Sequence, residues 1–182
     1  MPPLPWKTLT TREIYRNPWM RLREDIAEMP TGKTTLYGVC EIGRAVGVLP
    51  FVDADHVMMV RQYRYVWGEA HRWEIPTGGA HVGEALEDAA QRELMEEIGY
   101  RAGSLTHIST HYTSKSICHE SADIYIGRDL VPAGAAPDDT EDIEMAILPF
   151  AKVLDLVLSS EIRDAMSVIA ILWAALKNTP GI

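Results

Sequence analysis

Three carboxylates crowd one short stretch of the chain, Arg92-Glu93-Leu94-Met95-Glu96-Glu97-Ile98-Gly99-Tyr100. On a helix, Glu93 and Glu97 stand one turn apart and project from one side, with Glu96 on an adjoining line. Like charges at that spacing raise one another's pKa and weaken the helix unless something compensates them. A donor set made only of oxygens suits a hard divalent cation, magnesium first and manganese second. Arg92 brings five fixed donors to the same patch and can hold the glutamates in orientation. A Glu-rich helical face is more often plain solvated surface, so the acids alone do not decide the matter. The preceding Ile75-Pro76-Thr77-Gly78-Gly79 changes the balance. Its glycines let a loop backbone come close to the helix, where a carbonyl such as that of Thr77 can complete a cation's shell.

The elements that must position these groups are legible in outline. Glu84 to Ile98 lacks Pro and Gly and repeats Leu86, Ala90 and Leu94 at four-residue spacing, which predicts an amphipathic helix capped by Gly99. Ahead of it, Ile14-Tyr15, Met20 to Ile26, a Pro30–Lys33 turn and Thr34 to Cys40 read as a small β-hairpin module. Ala45 to Phe51 and His56 to Tyr63 flank the turn-like Asp53-Ala54-Asp55 and suggest a buried hairpin, with Trp73 to Pro76 a further short strand. Beyond the helix, Leu105 to Tyr112, Ser121 to Ile126 and Ile143 to Leu148 read as strands, and Pro132 to Asp139 as a loop. Val153 to Leu158 and Ser160 to Lys177 read as helices, the second with Ile162, Ala165, Met166, Ile169 and Trp173 as its core stripe. The order predicts an α+β chain: an N-terminal β module over residues 1–42, with a tail over 1–8, then one domain over 43–182.

Composition sets the outer limits. At 182 residues, 47% hydrophobic and 24% charged, the chain can bury a real core, and no apolar run is long enough to span a bilayer. A net charge of −9 repels polyanions, so nucleic-acid binding through a basic face is disfavoured and a phosphate-bearing ligand needs local cations. Cys40 and Cys118 are too few for a disulfide scaffold, and the Pro-rich start lacks the form of a signal peptide, so a cytoplasmic location is expected.

Gly78 to Tyr100 also resembles a known motif. It has Gly, five residues, Glu84, seven residues, then Arg-Glu, an aliphatic, any residue, Glu-Glu, any residue and Gly, which is the pattern of the Nudix box. Tyr100 departs from it, standing where a smaller aliphatic is usual. Outside the box, Arg61–Arg64, Trp73–Gly79, Glu141–Glu144 and Glu161–Ala165 resemble the ADP-ribose pyrophosphatase and nucleotide-sugar hydrolase branch of the Nudix superfamily.

That resemblance implies an α/β/α sandwich with mixed sheets and an N-terminal β-hairpin module that packs or swaps across a homodimer. It implies metal-dependent cleavage of the diphosphate in a nucleoside diphosphate linked to another group, giving two monophosphates. Carried over position by position, it places Mg²⁺ on the Thr77 carbonyl, Glu93 and Glu97, with Glu96 and Glu141 as further ligands or orienting groups. Substrate contacts fall to Arg64, Glu74 and Gly79, and water activation to Glu97, Glu96, Glu120, Asp139 or Glu141. Relatives often carry two glutamates in the last of these loops, where this chain has Asp139 and Glu141. Past the box the branch usually shows Ser-Pro-Gly, whereas this chain reads Ser114-Lys115-Ser116 before Glu120. Losing the fixed φ of Pro and the close approach of Gly alters the loop expected to cradle the terminal sugar, and Lys115 adds a movable charge there.

Other residues carry plainer expectations. Trp19 can stack on a base, as aromatics there do in similar enzymes, and hairpin packing or a dimer contact competes with that. His107, His111 and His119 lack the order of a zinc site. Cys118, two residues before Glu120, is oxidisable in principle, with a small packed residue the default. A catalytically weak nucleotide-binding sensor of the same fold is the alternative function, and a solvated acidic helix with no activity ranks last.

Overall fold

The computed structural model describes residues 5–68, 72–134 and 143–178. They contain strands β1 (Lys7–Arg16), β2 (Arg21–Glu28), β3 (Thr34–Pro50), β4 (His56–Arg61) and β5 (Thr77–Gly79). Helix α1 (Leu86–Ile98) follows, then β6 (Tyr100–Tyr112), β7 (Cys118–Pro132), β8 (Glu144–Pro149), α2 (Phe150–Leu158) and α3 (Ala165–Asn178). Mixed sheets with three helices make the chain α+β. The strands pair in the order β1-β2-β3-β7-β6 with β5 added beside β3, while β4 and β8 form a separate two-stranded sheet. No helix of the described residues is long and apolar enough to cross a membrane.

The chain divides into two compact units, one of residues up to Arg44 with Tyr112–Ser121, the other of Ala45–His111 with the residues from Ala122 onward. The smaller unit is an antiparallel meander of β1, β2 and the first part of β3. Asn17 turns the first corner, its Oδ1 accepting the N–H groups of Trp19 at 2.9 Å and Met20 at 2.8 Å. Gly32, at φ 79°, turns the second. Glu41 on β3 accepts from Arg21 at 3.1 Å and Arg23 at 2.8 Å, and Arg23 also touches the buried Asp25. β1 is exposed along its length, Leu9, Ile14 and Tyr15 included, as is Trp6 just before it.

The larger unit is built by strict alternation along buried strands. Val46 and Val48 of β3, Met58 and Val60 of β4, and Tyr125 of β7 join Ala89, Ala90, Leu94 and Ile98 of α1 in one apolar cluster. Their neighbours Leu49, Val57, Met59, Ile124 and Ile126 join Val153 and Val157 of α2 and Ala170, Ile171 and Ala174 of α3 in another. Side chains of period two therefore serve two cores, each covered by helix, which is why these strands read as apolar runs.

Three expectations needed correction. Asp53 does make a turn, its Oδ1 accepting the Asp55 and His56 N–H groups at 2.8 and 2.9 Å, but the flanking segments are not a hairpin. After one bridge between Phe51 and Val57 they part, β3 to β5 and β4 to β8. Trp73 to Pro76 is not a full strand: Glu74 bridges Val60, and the pairing with β3 falls on Thr77–Gly79 instead. The last helix begins at Ala165, where the Asp164 carboxylate accepts the Ser167 N–H at 2.8 Å as a cap. Its buried line is Ser167, Ala170, Ile171 and Ala174, with Met166, Ile169 and Trp173 half-buried beside it. A helix apolar on most sides gives periodicity no preferred face, and the alanines allow the closest approach.

Leu94 is fully buried between α1 and the strands. Leu94→Ala should lower unfolding free energy by about 2–5 kcal/mol in urea titration without changing the number of transitions.

Candidate active site

Helix α1 begins without a side-chain cap at Ala85, with Glu87 and Asp88 in its first turn where the helix dipole favours negative charge. It ends at Gly99, whose φ of 71° lets its N–H turn back onto the carbonyls of Leu94 and Met95. On the face between those ends, Glu93 and Glu97 are buried, 8% and 4% exposed, whereas Glu96 is exposed. Two carboxylates one turn apart have thus been taken out of water together.

Strand β5 supplies what lies against them. The Thr77 N–H donates to Glu97 Oε2 at 3.1 Å, and Gly78 lies so close to Glu93 that a Cβ there would clash with its carboxylate. β5 is itself held by its pairing to Ala45–Gly47 of β3. Just upstream, the buried hydroxyl of Ser167 on α3 accepts the Ile75 N–H at 2.9 Å. Ser167 was missed by sequence reasoning, although a single Ser inside an apolar helix was the available signal.

Arg92 ties the rest together. Its Nη1 donates to Glu93 at 2.7 Å and Glu96 at 2.9 Å, its Nε and Nη2 each to Glu84 at 3.0 Å, and its Nη2 also to the Gly79 carbonyl at 2.8 Å. Glu84 in turn accepts the His81 N–H at 2.8 Å. The Arg92 guanidinium, then that N–H, hold the Glu84 carboxyl down at about 2. The motif marked Glu84 by position, but its role as the anchor of Arg92 needed coordinates.

Glu97 moves the other way. Burial first, then the charge of Glu93, pushes its carboxyl up to about 9; the Thr77 N–H pulls it down, Glu74 pushes it up and Arg64 pulls it down. An ionised pair here calls for a compensating cation. Arg64 donates from Nε to Glu74 at 2.9 Å and from Nη2 at 2.8 Å, so the two residues expected to meet substrate meet each other. Glu74 is buried and Arg64 half-buried.

Of the residues singled out in the sequence, Arg64, Glu74, Thr77, Gly79, Glu93, Glu96 and Glu97 lie in the larger unit around α1 and β5. Trp19, Ser114, Lys115, Ser116 and Glu120 belong to the smaller unit. There Trp19 is 78% exposed, Lys115 and Ser116 are exposed, and Ser114 and Glu120 are half-buried. Asp139 and Glu141 lie outside the described residues. Among the described residues, no three His, Cys, Asp or Glu side chains gather tightly enough to cage a metal ion by themselves.

The Nudix domain profile matches residues 41–167, and the profile of the nucleoside diphosphate sugar hydrolase N-terminal domain matches residues 6–40. The chain is 32% identical over 174 residues to the ADP-ribose pyrophosphatase of Bacillus subtilis (strain 168), covering 94% of each chain. It is 28% identical over 174 residues to the methanol dehydrogenase activator of Bacillus methanolicus, again covering 94% of each. A crystal structure of an ADP compounds hydrolase superposes with a TM-score of 0.84 at 25% identity, covering 97% of this chain and 96% of that one. With its box glutamates gathered on α1 against Thr77 and Gly78, and with a profile match over most of its length, the chain belongs to the Nudix family.

Proposed function

We propose that this Nudix pyrophosphohydrolase cleaves the diphosphate of ADP-ribose or a nucleotide sugar, with Mg²⁺ as cofactor and Mn²⁺ able to replace it, releasing two monophosphates. One observation carries the reading: two carboxylates buried side by side against the Thr77 and Gly78 backbone, one of them pushed up to about 9. Relatives named for ADP-ribose and ADP compounds support the substrate class. The exposed apolar residues of β1 support a homodimer formed through the N-terminal strands, and the chain is taken to act in the cytoplasm.

The donor set fits the cofactor. Glu93 and Glu97 would hold it with the Thr77 carbonyl, and Glu96 would be a further ligand or an orienting group. The lack of a closed cage is no obstacle, because Mg²⁺ keeps waters and commonly takes one or two carboxylates plus substrate oxygens. When bound, it neutralises charge growing on the diphosphate oxygens.

The chain's own groups do the rest. Arg92 restrains Glu93 and Glu96 through short charge-assisted bonds and is itself restrained by Glu84. Gly78 keeps the backbone at contact with Glu93, leaving no room for a side chain. Arg64, oriented by Glu74, contributes guanidinium donors to the diphosphate. Glu120, or an acid at Asp139 or Glu141, takes the proton from the attacking water. Ser114, Lys115 and Ser116 bear on which leaving half is accepted, and Trp19 on the base.

Incubation with Mg²⁺ and a panel of ADP-ribose, nucleotide sugars, dinucleoside polyphosphates and nucleoside triphosphates, with products identified by mass, tests the reading. One diphosphate-linked substrate should give two monophosphates, and Glu97→Gln should lose at least about a hundredfold in turnover while unfolding, at about pH 5, within about 1 kcal/mol of the parent. Turnover unaffected by Glu97→Gln would refute the assignment. Gly78→Ala should displace Glu93 and raise the Mg²⁺ concentration for half-maximal rate by about tenfold or more, the scale seen when groups around metal ligands are disturbed.

The pH dependence has a definite sign. Without metal, the folded chain keeps a proton on Glu97 from about pH 4.5 to about pH 9 that the unfolded chain has lost, so stability falls as pH rises through that window. The contribution is at most ~1.4 kcal/mol per pH unit. Urea titrations in chelator across that range should show this decline, Glu97→Gln should flatten it, and Mg²⁺ should offset it increasingly toward high pH as binding releases the proton.

A further inference from the structure

The two cysteines, far apart in sequence, are direct neighbours in the smaller unit. The Cys40 N–H donates to the Ile117 carbonyl at 2.8 Å, and the Phe51 N–H to the Gly127 carbonyl at 2.9 Å. Register therefore climbs together on β3 and β7, and the strands run parallel. In a parallel ladder the bonds of one residue straddle its partner on the next strand, so an N–H bound to the carbonyl of Ile117 sets Cys40 opposite Cys118. Adjacent strands lie about 4.8 Å apart, inside the range of about 4.4–6.8 Å over which Cα atoms are bridged by a disulfide. Side chains of opposed residues share a face, and Glu120, two positions on, shares it too.

A second observation agrees. The Cys40 thiol is pushed up first by burial and then by the negative charges of Cys118 and Glu120, which places all three groups close together. The Sδ of Met20 lies 3.9 Å from the Cys40 sulfur. Both cysteines are free and half-buried.

We propose that Cys40 and Cys118 form a reversible disulfide by exchange with a low-molecular-weight disulfide, and that the bond controls the segment carrying Glu120. One protein thiolate attacks a sulfur of the oxidant, expelling one thiol and leaving a mixed disulfide. The neighbouring thiolate then attacks the protein sulfur of that mixed disulfide and expels the second thiol. Two protein S–H groups become one S–S bond while the oxidant's S–S bond becomes two S–H groups, so two electrons and two protons pass to the oxidant.

The consequence for turnover rests on the function proposed above. A disulfide prefers Cα atoms about 5.5–6 Å apart, against the about 4.8 Å of neighbouring strands, so closure pushes the start of β7 away from β3 by up to about 1 Å. That segment bears Lys115, Ser116 and Glu120, and a displacement of about 1 Å at a reacting group is worth up to about a hundredfold in rate.

The purified full-length chain, treated with oxidised glutathione and then alkylated, should show neither alkylated thiols nor retained glutathione by intact mass. Peptide mapping should join Cys40 to Cys118, and dithiothreitol should reverse the change. Cys40→Ser and Cys118→Ser should each stop at a single glutathione adduct. Turnover of ADP-ribose with Mg²⁺ should drop by about tenfold or more in the oxidised parent, recover on reduction, and be insensitive to the oxidant in the chain carrying both Cys40→Ser and Cys118→Ser. Two separately adducted thiols, or two that stay alkylatable, overturn the proposal, and a linked pair with unchanged turnover overturns the control it is given over Glu120. A reduced parent that hydrolyses no diphosphate substrate would instead overturn the functional reading, with the mass measurement still deciding whether the disulfide forms.

Discussion

Burying two like charges on adjacent turns of one helix is the constraint around which the larger unit is arranged. Glu93 and Glu97 have lost their hydration, and in a medium less polar than water neither can stay ionised without a nearby positive group. The protein supplies a partial answer from within. Arg92 takes one oxygen of Glu93, and the Thr77 N–H takes one of Glu97. These unequal partners leave Glu97 to hold a proton when no cation is present. The asymmetry leaves an unbalanced acid on the face where the proposed function puts a small hard cation, instead of a closed ion-pair network.

The surrounding framework follows from keeping that face rigid. α1 is held from behind by Leu94 and Ile98 in one apolar cluster, while the backbone that faces its glutamates is held by β3 and, one residue upstream of Pro76, by Ser167. Strand alternation lets the same strands contact α1 with one set of side chains and α2 and α3 with the other. Packing on the far side therefore sets the position of Thr77 against Glu97 through a continuous chain of buried groups. A Cβ at Gly47 would meet Met166, Ile75 and Thr77 within 3.2 Å, which shows how little slack the arrangement has.

Local patterns carried most of what could be read in advance. The α1 helix, its Gly99 end and the spacing of Glu93, Glu96 and Glu97 depend on contacts within a few residues, and the chain alone displayed them. The partnership of β4 with β8 did not, because their register is decided across more than eighty residues and Asp53 makes a convincing turn either way. The core stripe of α3 was only partly legible for a related reason: Met166, Ile169 and Trp173 do pack against the core, but Ala165 is exposed and the buried line is Ser167, Ala170, Ile171 and Ala174, a choice that only the approaching sheet makes. Ser167 belongs to the same class, a pairing across 92 residues, and the grip of Glu84 on Arg92, though only eight residues apart, likewise leaves no periodic trace.

Charge joins the site to its ligand. Arg92 is committed to three glutamates and the Gly79 carbonyl, and Arg64 is committed to Glu74, so the arginines nearest Glu93 and Glu97 already face carboxylates. In a chain of net charge −9, the diphosphate of the proposed function would depend on a cation as well as on Arg64 for its positive counterpart. Under the proposed function, cation and substrate would be coupled thermodynamically: the ion would offset the buried glutamates and the same ion would supply the attraction that a dianionic bridge requires. An arginine or lysine placed between the glutamates could neutralise them permanently, but it would fill the space and could not adapt its shell to the charge that develops during reaction. The buried pair thus leaves a defined deficit of positive charge, which under the proposed function is what links cation binding to substrate binding.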